Sequence, residues 1–128
     1  MRVQITVASL GAMQLVTAPG EIYPEYLVGR PASVARYTPR GWPDFSFPAM
    51  PGIADHMTGR DKMVLALANT YLGYLTPESD LVGLGEFGHP NHYEELVTPG
   101  PKYADSVGNR ILSMLGAPVR FTADPFHP

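Results

Sequence analysis

Over the first seventeen residues large apolar side chains alternate with smaller or polar ones: Val3, Ile5 and Val7 with Gln4, Thr6 and Ala8, then Met13 and Leu15 with Gln14 and Val16. A period of two is the pattern of a half-buried strand, and Leu10-Gly11 between the two runs supplies a turn, so the stretch predicts a β-hairpin. Pro19-Gly20 ends the second strand and leaves Glu21 at its exit. Pro24-Glu25-Tyr26-Leu27 then predicts a short helix closed by Gly29.

The period is lost from Arg30 to Asp61, where Pro31, Pro39, Pro43, Pro48 and Pro51 interrupt scattered aromatics. This reads as a long irregular loop, and loops of that length are either functional or ordered by contact with other parts of a protein. Asp61 to Leu75 suits a helix by length and equally a buried strand followed by a turn at Asn69. Pro77, Gly83, Gly85, Gly88 and Pro90 break the next stretch, and His92 to Val97 has the length of a short strand. The last element is a helix beginning at Pro101, with Ala104, Val107, Ile111, Met114 and Leu115 at helical spacing, Gly116 at the left-handed position past its end and Pro118 preventing continuation. Thr122 to Pro128 carries no packing signal and reads as a tail.

These elements predict an α/β fold in which a small sheet, built from the hairpin and a central strand, carries the 101–115 helix on one face. The divisions expected within one domain are a hairpin and short helix over 1–29, a Pro-rich loop over 30–61, a strand, loops and helix over 62–116, and a tail over 117–128. A chain of 128 residues, 45% hydrophobic, is long enough to bury one core. Glycine and proline are enriched locally but fall short of a low-complexity composition.

Charge and composition narrow the functional classes. A net charge of −3 without any run of Lys or Arg argues against a nucleic-acid groove or a polybasic membrane patch. With no cysteine there is neither a disulfide framework nor a thiolate metal site, so a metal would need His, Asp, Glu or Tyr. Gln4, Thr6 and Gln14 interrupt the N-terminal apolar residues, which reads as strand rather than signal peptide, and no segment has the roughly 18–20 apolar residues of a membrane-spanning helix. A soluble chain is expected.

The chemistry-bearing residues gather in Leu65 to Asp80 and in His92-Tyr93-Glu94-Glu95. Tyr71 and Tyr74 flank Gly73 after an apolar run that ends at Asn69. A phenol buried on such an element needs a hydrogen-bond partner or a metal, because an unpaired one costs about 1–3 kcal/mol. Each candidate also has an ordinary role. Glu21 suits the first turn of the following helix, the tyrosines suit amphipathic packing, and His89 and His92, three apart in a Pro/Gly-rich loop, suit a solvated surface.

Taken in order, the strand ending in Pro19-Gly20-Glu21, Leu67-Ala68-Asn69 with Tyr71, Gly73-Tyr74 and Pro77-Glu78, then His92-Tyr93-Glu94-Glu95, Gly100-Pro101 and a final helix ending Ile111-Leu112-Ser113-Met114-Leu115 form a set. That set resembles the C-terminal part of the catalytic domain of neutral/alkaline ceramidases and their bacterial relatives. The resemblance implies a zinc-dependent amidohydrolase acting on N-acyl amides of the ceramide type. It implies Glu21 and Tyr74 as zinc ligands and Tyr93 as the active-site tyrosine that assists the reacting amide. It also implies a buried strand over Met63–Ala68.

In that family two histidines from an earlier segment complete the zinc shell. His56, His89, His92 and His127 match neither of those positions, so the resemblance implies one part of a catalytic domain whose remaining part supplies the histidines, and little activity without it. The alternative expectation is a non-catalytic interaction module whose aromatic-rich loop binds a partner or completes a larger domain.

Overall fold

The structure, a computed structural model, describes residues 3–34, 46–47, 49–78, 81, 97–100 and 102–121. The alternating N-terminal residues form the expected hairpin: β1 (Val7–Leu10) and β2 (Met13–Thr17) are antiparallel, with Val7 opposite Val16 and Leu10 opposite Met13. Gly11-Ala12 makes the turn. The pairs Val7–Val16 and Ser9–Gln14 share the face turned to the core, where Val16 is fully buried. Gln14 is buried there too, and its Oε1 accepts a hydrogen bond from the Thr58 N–H at 2.7 Å, which gives the buried amide oxygen a partner.

β2 continues through Pro19-Gly20 into β3 (Glu21–Ile22), followed by α1 (Pro24–Val28). Proline at the first helical position and Gly29 at the end, with φ +75°, bound this helix as the sequence predicts. Within the segment read as an irregular loop, β4 (Ser33–Val34) pairs with β5 (Ser46–Phe47), Arg30 bridges Met50, and a 3-10 helix spans Ile53–His56. That segment is therefore partly ordered by its own pairing. Two-residue ladders are too short to leave a period in the sequence.

β6 (Asp61–Leu65) adds to β2 in parallel, Val64 beside Val16, giving a three-stranded sheet in the order β1-β2-β6. The expected strand exists but lies two to three residues earlier than Met63–Ala68, because the chain turns at Ala66-Leu67 and both Leu67 and Asn69 take left-handed backbone angles. Its side chains are also mostly exposed rather than buried, only Val64 being half-buried. The cause is position: β6 is an edge strand, and Met63 shares the outer sheet face with Leu15.

β7 (Tyr74–Leu75) pairs in parallel with β3, and α2 (Tyr103–Met114) packs against β7 and the 3-10 helix. The fold is thus α/β, a small mixed sheet with one C-terminal helix. Ala104, Val107, Ile111 and Leu112 are the buried apolar stripe of α2, and Met114, expected to share it, is largely exposed. The helix ends as predicted, with Gly116 at φ +74° and the Ala117 N–H donating to the Leu112 carbonyl at 2.9 Å.

The core lies between α1, α2 and the inner sheet face. Tyr26 and Phe121 meet edge to face, their centroids 4.7 Å apart, and each is almost completely buried. Side chains of that size stabilise by about 1.5–3 kcal/mol each through burial. The Tyr26 hydroxyl donates to Asp105 Oδ1 and the Phe121 N–H to Asn109 Oδ1 at 2.8 Å, so the polar residues of α2 hold α1 and the chain that follows α2.

Candidate functional site

Two short parallel strands place the sequence-predicted ligands together. In the β3–β7 ladder Glu21 is paired with Tyr74 and Ile22 with Leu75. Residues paired in a parallel ladder project from the same face, and adjacent strands lie about 4.8 Å apart. Glu21 and Tyr74, distant in sequence, therefore stand side by side. Both line a shallow cleft of about 270 Å³ together with Ile22, Tyr23 and Pro24.

The local sequence explains why the strands come this close. The Glu21 N–H donates to the Gly73 carbonyl at 2.9 Å, directly beside Gly20. A Cβ on Gly20 would lie 2.6 Å from that carbonyl oxygen and 3.0 Å from Leu75 Cγ. On the other strand Gly73 takes φ +75°, and a Cβ there would run into the Val97 carbonyl. Gly20 thus permits the approach of the two strands, and Gly73 the approach of the chain at Val97.

Tyr74 is half-buried, and its ring meets that of Tyr23 nearly at right angles, 80° between planes and 6.5 Å between centroids. The edge-to-face contact orients the Tyr74 phenol in the wall of the cleft. Tyr23 was not singled out from the sequence. Its signal was available, since it lies two residues beyond Glu21 and a strand-like backbone returns every second residue to one face. Glu21 is exposed and belongs to β3; α1 has Tyr23 at its N-cap position and no side-chain cap, so the helix-capping role does not describe Glu21 here.

Of the other candidates, the structure brings none of the described ones here. Tyr71 is 62% exposed, and Asn69 sits in the turn after β6, where its Nδ2 donates to Thr17 Oγ1 at 3.3 Å. The left-handed angles at Leu67, Asn69 and Gly73 break the run that would have carried Asn69, Tyr71 and Tyr74 to one place. His56 is half-buried on the 3-10 helix and lines neither this cleft nor the larger one beside Asn69. Tyr93, His89, His92, Glu94, Glu95 and His127 lie outside the described residues.

Glu21 and Tyr74 offer a carboxylate and a phenolic oxygen, both within zinc's ligand range when the phenol is ionised by the metal. Two oxygens are half of a tetrahedral shell. Among the described residues no cluster of three or more His, Cys, Asp or Glu could complete it. The donor set fits zinc as part of a shared shell and not as a whole one. Also among the described residues, no helix is long and apolar enough to cross a membrane. No protein-family model matches the chain, and no curated protein or solved structure shows significant similarity to it.

Proposed function

We propose that the chain is the Glu21–Tyr74 half of the metal site of a zinc-dependent amidohydrolase that cleaves N-acyl amides of the ceramide type. The observation that supports this reading is the in-register pairing of Glu21 with Tyr74, which sets the two residues implied as ligands on one face of one cleft. Glu21 would hold zinc through its carboxylate and Tyr74 through its phenolic oxygen, with Tyr23 fixing the Tyr74 ring. Zinc, when bound, supplies Lewis acidity toward an amide carbonyl and an acidified water of pKa about 7. Tyr93 is proposed to donate a hydrogen bond to the oxygen of the reacting amide, where negative charge develops. The remaining ligands come from a histidine-bearing segment outside this chain's described residues.

Zinc titration and hydrolysis of an N-acylsphingosine test the reading, run on this chain and on a domain that joins it to such a histidine-bearing segment. The chain alone should bind zinc weakly and hydrolyse nothing, because two oxygen donors leave half the shell to water. The joined domain should bind zinc tightly and lose activity on Glu21→Ala or Tyr74→Phe. Hydrolysis by the chain alone that is abolished by Glu21→Ala would refute the shared site. A joined domain that binds no zinc would favour a second reading, a non-catalytic module that completes a larger domain. That reading draws support from the outer sheet face and the turn after it, where Leu10 is 61%, Met63 44%, Leu65 44% and Leu67 51% exposed.

A further inference from the structure

Thr17 ties two distant segments together from a buried position. Its Oγ1 accepts hydrogen bonds from the Thr6 N–H at 2.9 Å and from Asn69 Nδ2 at 3.3 Å, and its own N–H donates to the Thr6 carbonyl at 2.9 Å. The chain entering β1 and the turn after β6 are thereby held as opposing walls. Between them and α2 opens a cleft of about 580 Å³, within the range of small-molecule sites. It shares no described lining residue with the Glu21–Tyr74 cleft.

The lining is sorted by chemistry. Val3, Ile5 and Met114 give it an apolar side, and Gln4, Asn69 and Thr70 a polar one. Arg110, one turn before Met114 on α2, brings the single charge among the described lining residues. Elsewhere on the described surface Arg60 pairs with Asp61 at 2.8 Å, Lys62 donates to the Ala54 carbonyl at 2.6 Å and Lys102 faces Glu78 at 3.4 Å. Arg110 and Arg120 make no such contact among the described residues, but only Arg110 lines this cleft, where no described carboxylate competes for its guanidinium.

We propose that this cleft binds the carboxylate of a small amphiphilic acid. The Arg110 fork takes the carboxylate in the paired geometry that guanidinium favours. Asn69 uses one amide hydrogen on Thr17 and keeps the second, and Gln4 carries two more donors. One cation matches one negative charge, which selects a carboxylate over a phosphate dianion. Val3, Ile5 and Met114 cover the aliphatic part of the ligand. The inference is independent of the zinc reading and stands or falls without it.

The test is an NMR titration of the 15N-labelled chain with octanoate, with octanamide and with inorganic phosphate, at neutral pH and fixed ionic strength. Octanoate should give saturable shifts at Asn69, Thr70 and the Arg110 side-chain N–H, and Arg110→Gln should weaken its binding roughly tenfold or more. Arg110 is exposed, so the substitution leaves the core untouched. Thr17→Val, which removes the Oγ1 shared by the two walls but keeps the backbone bond to Thr6 and the charge of Arg110, should weaken octanoate without abolishing it. Octanamide binding as tightly as octanoate, or octanoate binding undiminished by Arg110→Gln, would overturn the proposal. Phosphate displacing octanoate at equal concentration would also overturn it, by showing an unselective anion site.

Discussion

Gly20→Ala puts the β3–β7 approach to its most direct test. Gly20 does not adopt a left-handed φ, so alanine carries no backbone strain there and its whole cost is collision. The new Cβ would sit 2.6 Å from the Gly73 oxygen where ordinary contact begins at 3.4 Å, so the strands must open by about 0.8 Å. The obstructing atom is backbone, and the Leu75 side chain adds a second close contact at 3.0 Å. Overpacking a methyl group into such a place costs about 1–3 kcal/mol. Loss of the adjoining 2.9 Å bond from the Glu21 N–H to the Gly73 carbonyl adds about 1 kcal/mol. The stiffer unfolded chain offsets about 0.4–1 kcal/mol, and a net destabilisation of about 1–3.5 kcal/mol is expected.

Urea unfolding should show this as a lower midpoint at unchanged slope. The NMR contact between the Tyr23 and Tyr74 rings should weaken in parallel. Gly116→Ala is the control, because its Cβ meets nothing within 4 Å while its φ of +74° penalises alanine by about 1–2 kcal/mol. If Gly20→Ala costs less than 0.5 kcal/mol and the ring contact persists, the close approach that aligns Glu21 with Tyr74 is wrong.

Two further outcomes follow from the core and from α2. Tyr26→Phe removes the hydroxyl that donates to buried Asp105 Oδ1 and should destabilise by about 1–3 kcal/mol, with a double-mutant cycle against Asp105→Ala recovering a coupling of similar size. Burial raises the Tyr103 phenol above its ordinary value of 10.0, so above that pH the folded chain holds a proton the unfolded chain releases. Stability should fall as pH rises from about 10 through the folded value, and Tyr103→Phe should flatten that decline in urea midpoints measured across the range.

The hairpin, α1 and α2 were legible because each is a local pattern with its own stop signals. Gly11, Gly29 and Gly116 all fall where the sequence places a turn or a helix end. Burial was harder to read. Met63-Val64-Leu65 looks like an interior strand by composition, but composition does not tell an edge from a centre, and that depends on which strands arrive on either side. Gln14 shows the converse, a polar residue on the core face because Thr58, distant in sequence, needs its amide oxygen. The adjacency of Glu21 and Tyr74 left no local trace, since parallel pairing over such a separation has no period. It was expected only from the resemblance carried by the Pro-Gly-Glu and Gly-Tyr motifs, of which Gly20 is the residue that permits the approach. Asn69 and Thr17 read as a turn and a strand residue and gave no sign of their bond across a separation of 52 residues.

The parallel β3–β7 ladder also fixes an order in time. The β1–β2 hairpin closes through a two-residue turn and can form in about 1–10 μs. Pairing Glu21 with Tyr74 instead requires a loop of about fifty residues to close, an entropic cost of about 3.5 kcal/mol by logarithmic scaling, before the ladder returns anything. Strand pairing of that range belongs to the slow part of folding. The cleft is thus among the last features to assemble, and the encounter of its partners relies on the one chain that joins them. A single peptide-bond cut between Ile22 and Tyr74 would replace that tethered encounter with a bimolecular one, making the integrity of the cleft depend on protein concentration.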